Sequence, residues 1–319
     1  MDQIMRVYAN LHTHSTHSDG AYSPRKIAEI AKNEGYGALA ITDHDTFTGN
    51  AEAAEACREL GLCCIPGIEF SLKGAAFKTW FHMTAFHFDP EYPEMKEYLR
   101  QLSERETHQT EVCFHRGVRE GFIEGITWDE VLDYNRGITW LCNEHVFRAM
   151  QAKGIADILD YPAFFENVYG KHRAEVPPLH DFMQAEDMIS LVHRAGGIIF
   201  LAHPFTPQQM QCVPELAKIG LDGIEVWHSD LDAKMRREAL AAAGEHDLFI
   251  SGGSDHSGLC GGQYERYADP TETQFYFPPQ TLGTTEFFFR EIASMKKSAG
   301  RGEIIKDLLA DDSLWQRVK

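Results

Sequence analysis

Short apolar segments alternate with amphipathic segments near the start of the chain and again in its second half. Seven apolar runs, many of them rich in β-branched residues, have the length of strands that are buried on both faces, as in a parallel sheet. The amphipathic segments between them predict helices, so we expect an α/β fold. The seven runs cover residues 7–11, 38–41, 63–68, 79–86, 198–202, 223–226 and 248–250.

The first predicted helix carries signals at both of its ends. Ser23 suits the N-cap, Pro24 suits the first turn, and Gly35 follows the last turn. A second helix over 49–60 stops before Gly61. Strands and helices in alternation with such short connections predict a parallel sheet or barrel.

The pattern changes between residues 91 and 185. Stretches at 94–120, 128–153 and 156–169 have helical periodicity, and the pattern of a buried strand does not occur there. We interpret 91–185 as a helical insertion that caps the active site of a discontinuous barrel made of 1–90 and 186–319. Within the second part, helices are predicted over 185–195, 214–219 and 232–245, and an aromatic extension begins at about 262. This extension is expected to pack on the barrel or to contact a second copy of the chain.

The composition is that of a globular protein with an acidic surface. The 319 residues include 30 Lys and Arg against 48 Asp and Glu, a formal net charge of −18, which disfavours duplex nucleic acid as a partner. No apolar run reaches the ~18 residues of a membrane span, and the first residues lack the layout of a secretory signal. Seven cysteines without C-x-x-C spacing are typical of a reducing compartment, so we expect a cytoplasmic location.

Histidines and acidic residues follow nearly every predicted strand. The carboxyl ends of parallel barrel strands converge on one face, where barrel enzymes build their active sites. Imidazole nitrogens and carboxylate oxygens are the usual ligands of divalent cations such as Mn, Fe and Zn. The sequence therefore predicts a centre with several cations, built from His12, His14, Asp19, His44, Glu69, His82, His203, Asp255 and His256.

The motifs that contain these residues resemble the PHP (polymerase and histidinol phosphatase) family. They are Asn10-Leu11-His12-Thr13-His14 with Ser18-Asp19-Gly20, Thr42-Asp43-His44-Asp45, Gly67-Ile68-Glu69, Ala202-His203-Pro204 and Gly253-Ser254-Asp255. The helical insertion and the segment Asn143-Glu144-His145 resemble the stand-alone phosphoesterases of the family, which include nucleotide bisphosphate phosphatases, cyclic phosphate hydrolases and short-RNA exonucleases. The resemblance implies a distorted seven-stranded (β/α) TIM-like barrel that holds two or three divalent metal ions.

The resemblance also implies which residue would bind which cation. One ion would be held by His12, His14, Glu69 and Asp255, and Glu69 would bridge to a second ion held by His82 and His203. Asp19 and His44 would belong to a third ion. In the family this third ion takes a histidine two residues after the last aspartate, where the chain has Ser257, and its histidine comes one residue early, at His256. The third site is therefore weak, rebuilt by His256, or absent.

The number of cations bears on the substrate. Three divalent ions against the carboxylates of Asp19, Glu69 and Asp255 leave the site positive even with a bound hydroxide, which suits a phosphate monoester dianion. Two ions leave it close to neutral, which suits a diester monoanion or a neutral amide.

Four further residues are candidates for substrate binding and catalysis. His145 matches the histidine of the family's Arg-x-His segment, with Asn143 in the arginine position, and would contact the phosphate and protonate the leaving group. Lys171 and Arg173 match a basic patch on which relatives bind a second phosphate. Asp43 would orient His44 or the site. The nearby His17 and His87 match no motif, and we expect neither to be a ligand.

These observations favour a metal-dependent phosphoesterase that hydrolyses a small phosphorylated metabolite or nucleotide, either a monoester or a cyclic diester, by a metal-activated hydroxide. Two alternatives remain open. One is a C–N hydrolase of the amidohydrolase type, which uses a related metal barrel, and the other is a non-catalytic PHP scaffold that binds metal. The expected partner is a small phosphorylated substrate, with no membrane and with a homo-oligomer as a further possibility.

Overall fold

Strands of the chain form two sheets that together carry the candidate ligands. The computed structural model describes residues 7–255 and 283–315. In that part, one sheet has the strand order β3-β2-β1-β9 and the other the order β4-β5-β6-β7-β8. The strands are β1 (Val7–Asn10), β2 (Ala38–Leu39), β3 (Cys63–Cys64), β4 (Gly67–Gly74), β5 (Thr79–Phe86), β6 (Ile198–Leu201), β7 (Gly223–Trp227), β8 (Phe249–Gly252) and β9 (Thr284–Thr285).

The helices before and after the strands follow the predicted order. At the first of them, the Ser23 hydroxyl accepts the Lys26 N–H as predicted for an N-cap, and Gly61 ends the second with a φ of 67°. The helices are α1 (Pro24–Asn33), α2 (Asn50–Leu60), α3 (Pro93–Glu120), α4 (Trp128–Tyr134), α5 (Asn143–Ala152), α6 (Tyr161–Phe164), α7 (Gly170–Arg173), α8 (Ala185–Arg194), α9 (Pro207–Lys218), α10 (Ala233–Glu245), α11 (Glu286–Ser294), α12 (Arg301–Ala310) and α13 (Asp312–Trp315).

One helix begins earlier than the sequence pattern predicted. Pro214, taken as the start of a helix, lies inside α9, which begins after Thr206. Thr206 and Gln209 form a reciprocal capping box there, in which the threonine hydroxyl accepts the Gln209 N–H and the glutamine side chain accepts the Thr206 N–H. The helix therefore starts at the Thr206 cap and continues through Pro214.

The expectation of a wholly parallel sheet was wrong. β5 runs antiparallel to both of its neighbours, β4 and β6, whereas β6, β7 and β8 are parallel. A turn of four residues joins β4 to β5, and so short a connection can only make an antiparallel hairpin. A strand buried on both faces has the same apolar pattern in either direction, so the run at 79–86 did not reveal its orientation. Because β5 is reversed, its start lies where the other strands end.

Hydrogen bonds also connect the two sheets. The Leu11 N–H donates to the Gly252 carbonyl beyond the ends of β1 and β8, at 3.3 Å. On the opposite side, the Glu69 N–H donates to the Asp43 carbonyl and the Asp45 N–H donates to the Glu69 carbonyl. The segments that carry His12, His44 and Asp255 therefore lie side by side.

The segment from α3 to α7 has an apolar core of its own. Phe114, Val146, Phe147 and Phe164 are buried in it, apart from the core under the β4–β8 sheet. The periodic stretch at 128–153 divides into α4 and α5, and the stretch at 156–169 forms short helical turns before α7. The division of the chain into a barrel and a capping insertion stays an interpretation of the sequence.

The aromatic residues near the C-terminus are described only in part. Tyr264, Tyr267, Phe275, Tyr276 and Phe277 lie outside the described residues. The run Phe287-Phe288-Phe289 lies in α11, where Phe288 packs against Trp227 and Phe289 packs against Tyr8. Among the described helices, none is both long and apolar enough to cross a bilayer.

Candidate metal centre

The segments after β1 and β8 and the first half of β4 bring four predicted ligands of the first cation together. His14 Nε2 lies 2.9 Å from Asp255 Oδ1, and both His12 Nε2 and His14 Nε2 lie 3.3 Å from Glu69 Oε2. His12 Nε2 and Asp255 Oδ1 are 3.6 Å apart. Ligand atoms of a tetrahedral ion with bonds of ~2.0–2.1 Å are roughly 3.3 Å from one another. The four side chains therefore have the spacing that one shared cation needs.

Glu69 lies between two groups of imidazoles. Its Oε2 faces His12, His14 and also His44, whose Nδ1 is 3.0 Å away. Its Oε1 faces the other side, with His203 Nε2 at 2.8 Å and His82 Nδ1 at 3.3 Å. A carboxylate whose two oxygens face different sets of nitrogens is suited to bridge two cations.

The third predicted group is held less closely. Asp19 Oδ1 lies 3.5 Å from His14 Nδ1, and these two residues form a cluster with His44. The His256 and Ser257 positions, on which the completeness of this group depends, lie outside the described residues.

Buried polar atoms at the centre have no protein partner of good geometry. Among the described residues, hydrogen bonds are missing for His12 Nε2, both ring nitrogens of His14, His44 Nδ1 and Glu69 Oε2. Buried polar groups without partners are rare and point to an ion or ligand that is not protein. The donor set and these orphaned atoms therefore fit divalent cations.

A buried carboxylate fixes the ring of His12. Glu225, on β7, lies 3.1 and 3.2 Å from His12 Nδ1, and its Oε2 accepts the His203 backbone N–H at 2.9 Å. Because a carboxylate only accepts, His12 carries its proton on Nδ1, which leaves the lone pair of Nε2 facing Glu69 and Asp255. A carboxylate that orients a metal-binding histidine in this way is a common feature of metal sites.

Glu225 and His228 were missed by the sequence analysis. His228 comes two residues after the apolar run at 223–226, the same position relative to a strand that identified the other histidines. Applying that rule to this strand would have found it. Glu225 lies within the run itself, and only the strand's orientation shows that it faces the centre. Both residues form a cluster with His12, and His228 forms a second cluster with His203 and Asp255.

The charges at the centre shift the affinity of its residues for protons. Burial alone favours a neutral acid, but His12 and the other facing imidazoles hold the pKa of Glu69 well below its usual range. At Asp255, burial also favours the neutral acid, but the nearby His12 and His14 hold its pKa well below its usual range. Burial opposes the charged form of His12 and His14, yet the surrounding carboxylates raise the pKa of both. Burial dominates at His44 and lowers its pKa to about 4.

Three residues of the centre adopt unusual backbone conformations. Asp45, His203 and Asp255 have φ values of 54°, 24° and 52°, in the left-handed region that residues with a Cβ rarely adopt. Such conformations persist where the surrounding structure fixes them, and they concentrate at functional sites.

Asp43 holds the loop that carries Asp19 and does not contact the ligand nitrogens. Its Oδ1 accepts the Ser15 N–H at 2.6 Å and the Ser18 hydroxyl at 2.7 Å, and its Oδ2 accepts the Ser15 hydroxyl at 2.7 Å. This geometry gives Asp43 a positioning role next to His14 and Asp19.

His145 is fully buried and lies under the same loop. Its Nδ1 accepts the Cys142 N–H at 3.0 Å, and its Nε2–H donates to the Thr16 carbonyl at 3.1 Å. Burial, followed by the nearby Arg148, holds the pKa of His145 well below its usual range. In this arrangement the ring is neutral and both nitrogens bind backbone, so it is placed to support the loop. Protonation of a leaving group by His145 stays a prediction.

Lys171 and Arg173 were predicted to bind a second phosphate, and the structure describes the side chain of Arg173 only. Arg173 donates to the buried Glu106, and its guanidinium lies over the Tyr169 ring. Lys171 lies in α7, and its side chain is outside the described part of the chain. His17 binds the Thr48 hydroxyl through Nδ1, and neither it nor His87 belongs to the described metal-ligand clusters.

Comparison with known proteins adds a family match that spans more than half of the chain. The family described as "PHP domain" matches residues 10–191. The chain is 27% identical over 252 residues to a phosphoribosyl 1,2-cyclic phosphate 1,2-diphosphodiesterase of Eggerthella lenta, which covers 79% of the chain and 95% of that protein. It is 28% identical over 271 residues to the 5'-3' exoribonuclease Rnm of Escherichia coli, covering 81% of the chain and 88% of the relative.

A solved structure resembles the whole arrangement. It is described as a metal-dependent phosphoesterase of Bifidobacterium adolescentis, with a TM-score of 0.71 and 27% sequence identity. The superposition covers 91% of the chain and 97% of that structure. The likeness therefore extends over nearly the full length of both chains.

Proposed function

The chain belongs to the PHP family and is a metal-dependent phosphoesterase, and we propose that it cleaves a phosphate ester on a ribose. The observation that carries the proposal is Glu69, whose two oxygens face separate groups of imidazoles at 2.8–3.3 Å. Two relatives act on phosphoribosyl cyclic phosphate and on RNA, according to their names. Both of those substrates carry a phosphoester on ribose.

We infer that the centre takes three divalent cations, of manganese, iron or zinc. His12, His14, Glu69 and Asp255 would hold one, Glu69 with His82 and His203 a second, and Asp19 with His44 a third. Bound there, the cations would lower the pKa of a water molecule towards ~7 and neutralise charge on the phosphoryl oxygens.

The buried Glu225 supports the larger number of cations. It adds a fourth carboxylate to Asp19, Glu69 and Asp255, and its partner His12 holds the pKa of Glu225 below its usual range in spite of burial. With two cations and a hydroxide the site would then be net negative and would repel a phosphate dianion. With three it stays positive. The cation count thus controls which phosphate esters can bind.

The two sheets support a distorted seven-stranded barrel as the frame of the site. In this interpretation β1, β2 and β4–β8 form the wall, with β5 reversed, and β3 and β9 lie outside it. The hydrogen bonds between Leu11 and Gly252, and between Asp43, Glu69 and Asp45, join the sheets on both sides. Such closure would direct the ligands from every strand to one mouth.

The helical segment from α3 to α7 is proposed to cap this mouth and to contribute substrate contacts. Arg148 on α5 donates to the carbonyls of Thr16, Ser18 and Gly20, so the cap holds the loop that presents Asp19. A second phosphate would bind at Lys171 and Arg173 only if Arg173 exchanged its Glu106 partner.

The test is a substrate panel with purified chain loaded with each metal in turn. We expect phosphate release or ring opening from ribose monoesters, ribose cyclic phosphates or short 5'-phosphorylated RNA, and no turnover of amides. His14→Ala should abolish turnover and lower the metal content while the circular dichroism spectrum is retained. His17→Ala, three residues along the same loop, is the matched control and should behave like the wild type. Amide hydrolysis, or full activity of His14→Ala, would refute the proposal.

A further inference from the structure

His228 is a fully buried histidine at the candidate metal centre that the PHP motifs do not include. It follows the last residue of β7, Trp227, and none of its side chain is exposed. Its ring centroid lies 4.9 Å from that of His203 and 5.5 Å from that of His12. Its Nε2 is 3.3 Å from Asp255 Oδ2. The ring therefore borders the predicted ligands of two cations.

A local hydrogen bond determines where the ring carries its proton. The backbone N–H of Asp230 donates to His228 Nδ1 at 3.0 Å, so the lone pair of Nδ1 is in use. A neutral imidazole has one acceptor and one donor nitrogen, and the proton must then be on Nε2. Arg236 donates to the His228 carbonyl at 2.7 Å, which holds this turn in place.

The Nε2–H donor is aimed at the centre and has no well-directed acceptor among the described residues. Asp255 Oδ2 is near enough in distance, but the contact lacks the geometry of a hydrogen bond. A buried donor without an acceptor is unfavourable unless something other than the protein supplies one. At a phosphoesterase centre, a phosphoryl oxygen of the substrate is such an acceptor.

His12 and His228 carry their protons on opposite ring nitrogens, because the partner of Nδ1 differs. Glu225 fixes the proton of His12 on Nδ1, so Nε2 offers a lone pair to a cation. The Asp230 N–H does the reverse at His228, where Nε2 offers a proton. A nitrogen that carries a proton has no lone pair for a metal, and this excludes Nε2 of His228 as a ligand in this tautomer.

We propose that His228 is a catalytic residue that donates a hydrogen bond from Nε2 to a phosphoryl oxygen of the bound substrate. This inference rests on the proposed phosphoesterase function. Donors fixed in a buried site towards oxygens that gain negative charge in the transition state contribute strongly to catalysis, and removing one lowers kcat by about 10²- to 10³-fold. His145 does not fill this role in the structure, because both of its nitrogens bind the backbone.

Two substitutions distinguish the proposed donor role of His228 Nε2 from the structural role of Nδ1, which accepts the Asp230 N–H. In His228→Asn the amide oxygen can accept the Asp230 N–H, as in an Asx-turn, but no group reaches the place of Nε2. In His228→Gln the longer side chain can put an amide N–H close to that place. Both variants are compared with the wild type in the metal-loaded full chain, with thermal unfolding as the check on folding.

The experiment measures metal content, kcat, KM and the binding of inorganic phosphate by calorimetry. We expect His228→Asn to keep the metal content of the wild type, to lose about 10²-fold in kcat and to bind phosphate at least about tenfold more weakly. KM should change much less than kcat. His228→Gln should recover part of both losses.

Two results would overturn the inference. Loss of one cation per chain in His228→Asn would make His228 a metal ligand or a support for one, and unchanged kcat and phosphate binding would remove it from the site. Phosphate binding does not depend on turnover. If the wild-type chain cleaves no phosphoester, the proposed function fails, and the phosphate measurement still decides whether His228 contacts the anion.

Discussion

The two sides of the candidate metal centre are supported in different ways. On one side, Glu69 lies in β4 and His12 and Asp255 come two and three residues after the ends of β1 and β8, and Glu225 on β7 holds the His12 ring. On the side formed by Asp19 and His44, Asp19 depends on a loop over 15–20, which Asp43 binds from the segment after β2 and Arg148 binds from α5.

This difference predicts which of the proposed cations are retained when the supporting residues are changed. Side chains on strands are positioned by the sheet itself, whereas a loop held by side-chain hydrogen bonds opens at a smaller free energy. The first two cations should therefore tolerate changes in the helical segment, and the third should not. If a third cation binds as proposed, it would set the net charge of the site, and the loop would then also control whether a monoester dianion is accepted.

The largest effect is expected from Glu69, the residue that we propose to bridge two cations. Glu69→Gln removes the bridging charge, so at least about 10³-fold of kcat and most of the bound metal should be lost. Metal analysis and initial rates check this. Glu91→Gln, an exposed residue paired with Lys96, is the control and should match the wild type. Full metal content in Glu69→Gln would show that the bridge does not exist.

A smaller loss is expected when the support of His12 is weakened. Glu225→Gln keeps the shape of the side chain but removes the charge that fixes the Nδ1 proton of His12. Metal affinity should fall about 10- to 100-fold, the usual effect of changing a residue that orients a ligand. Competition with a chelator of known affinity measures it. An unchanged affinity would mean that the Glu225 carboxylate does not orient His12.

The loop side is tested from the helical segment. Arg148→Met removes the donors to Thr16, Ser18 and Gly20, so one cation of three should be lost while the other two remain. Activity on monoesters should fall about tenfold or more relative to activity on cyclic diesters, since the site loses two positive charges. Arg136→Met, in the same segment but exposed and paired with Asp133, is the control. Equal loss of all cations would contradict the comparison.

Removal of metal should make stability depend on pH in a defined direction. In the metal-free chain the pKa values of His12 and His14 are raised, so their ion pairs stabilise the fold below the unfolded pKa of ~6.5. That contribution is lost as the pH rises through the raised values. The unfolding midpoint in chelator should therefore fall as the pH rises above ~6.5 and through the raised pKa values, and the increase on adding metal should grow. A midpoint that rises over this window would contradict the protonation assigned to these residues.

The smallest effect is expected at position 257, where the chain has serine in place of the family's histidine. Ser257→His restores the residue that the family has at this position and should raise occupancy of the third cation, by at most one ion per chain. Metal stoichiometry at limiting concentration measures it, with His256→Ala to show whether the existing histidine contributes. No change in either variant would mean that neither position contributes to the third cation.

The sequence predicted the centre better than its frame. Residues at or after the ends of parallel strands meet at one edge of a sheet, so the closeness of Glu69 and His203 could be predicted from the position of each residue relative to an apolar run. The reversal of β5 could not be predicted, because a fully buried run has no alternation. His82 still reaches the centre, since it lies in the starting half of the reversed strand.

Protonation was beyond prediction from residue types. His145, which the sequence suggested as a proton donor, has both nitrogens bound to backbone. His228, which the sequence did not suggest, has an Nε2 that faces the centre without a hydrogen bond to the described residues. These roles are set by neighbouring N–H and carbonyl groups, which the order of residues does not reveal. Glu225 was hidden for a related reason, since a charge within an apolar strand run shows no sign of the partner that it faces.

The central claim is that Glu69 bridges two cations. The most direct test is anomalous X-ray diffraction from crystals of the metal-loaded chain, recorded on both sides of the metal absorption edge. Two peaks should flank the Glu69 carboxylate, one beside His12 and His14 and the other beside His82 and His203. A single peak, or peaks that Glu69 does not touch, would contradict the account.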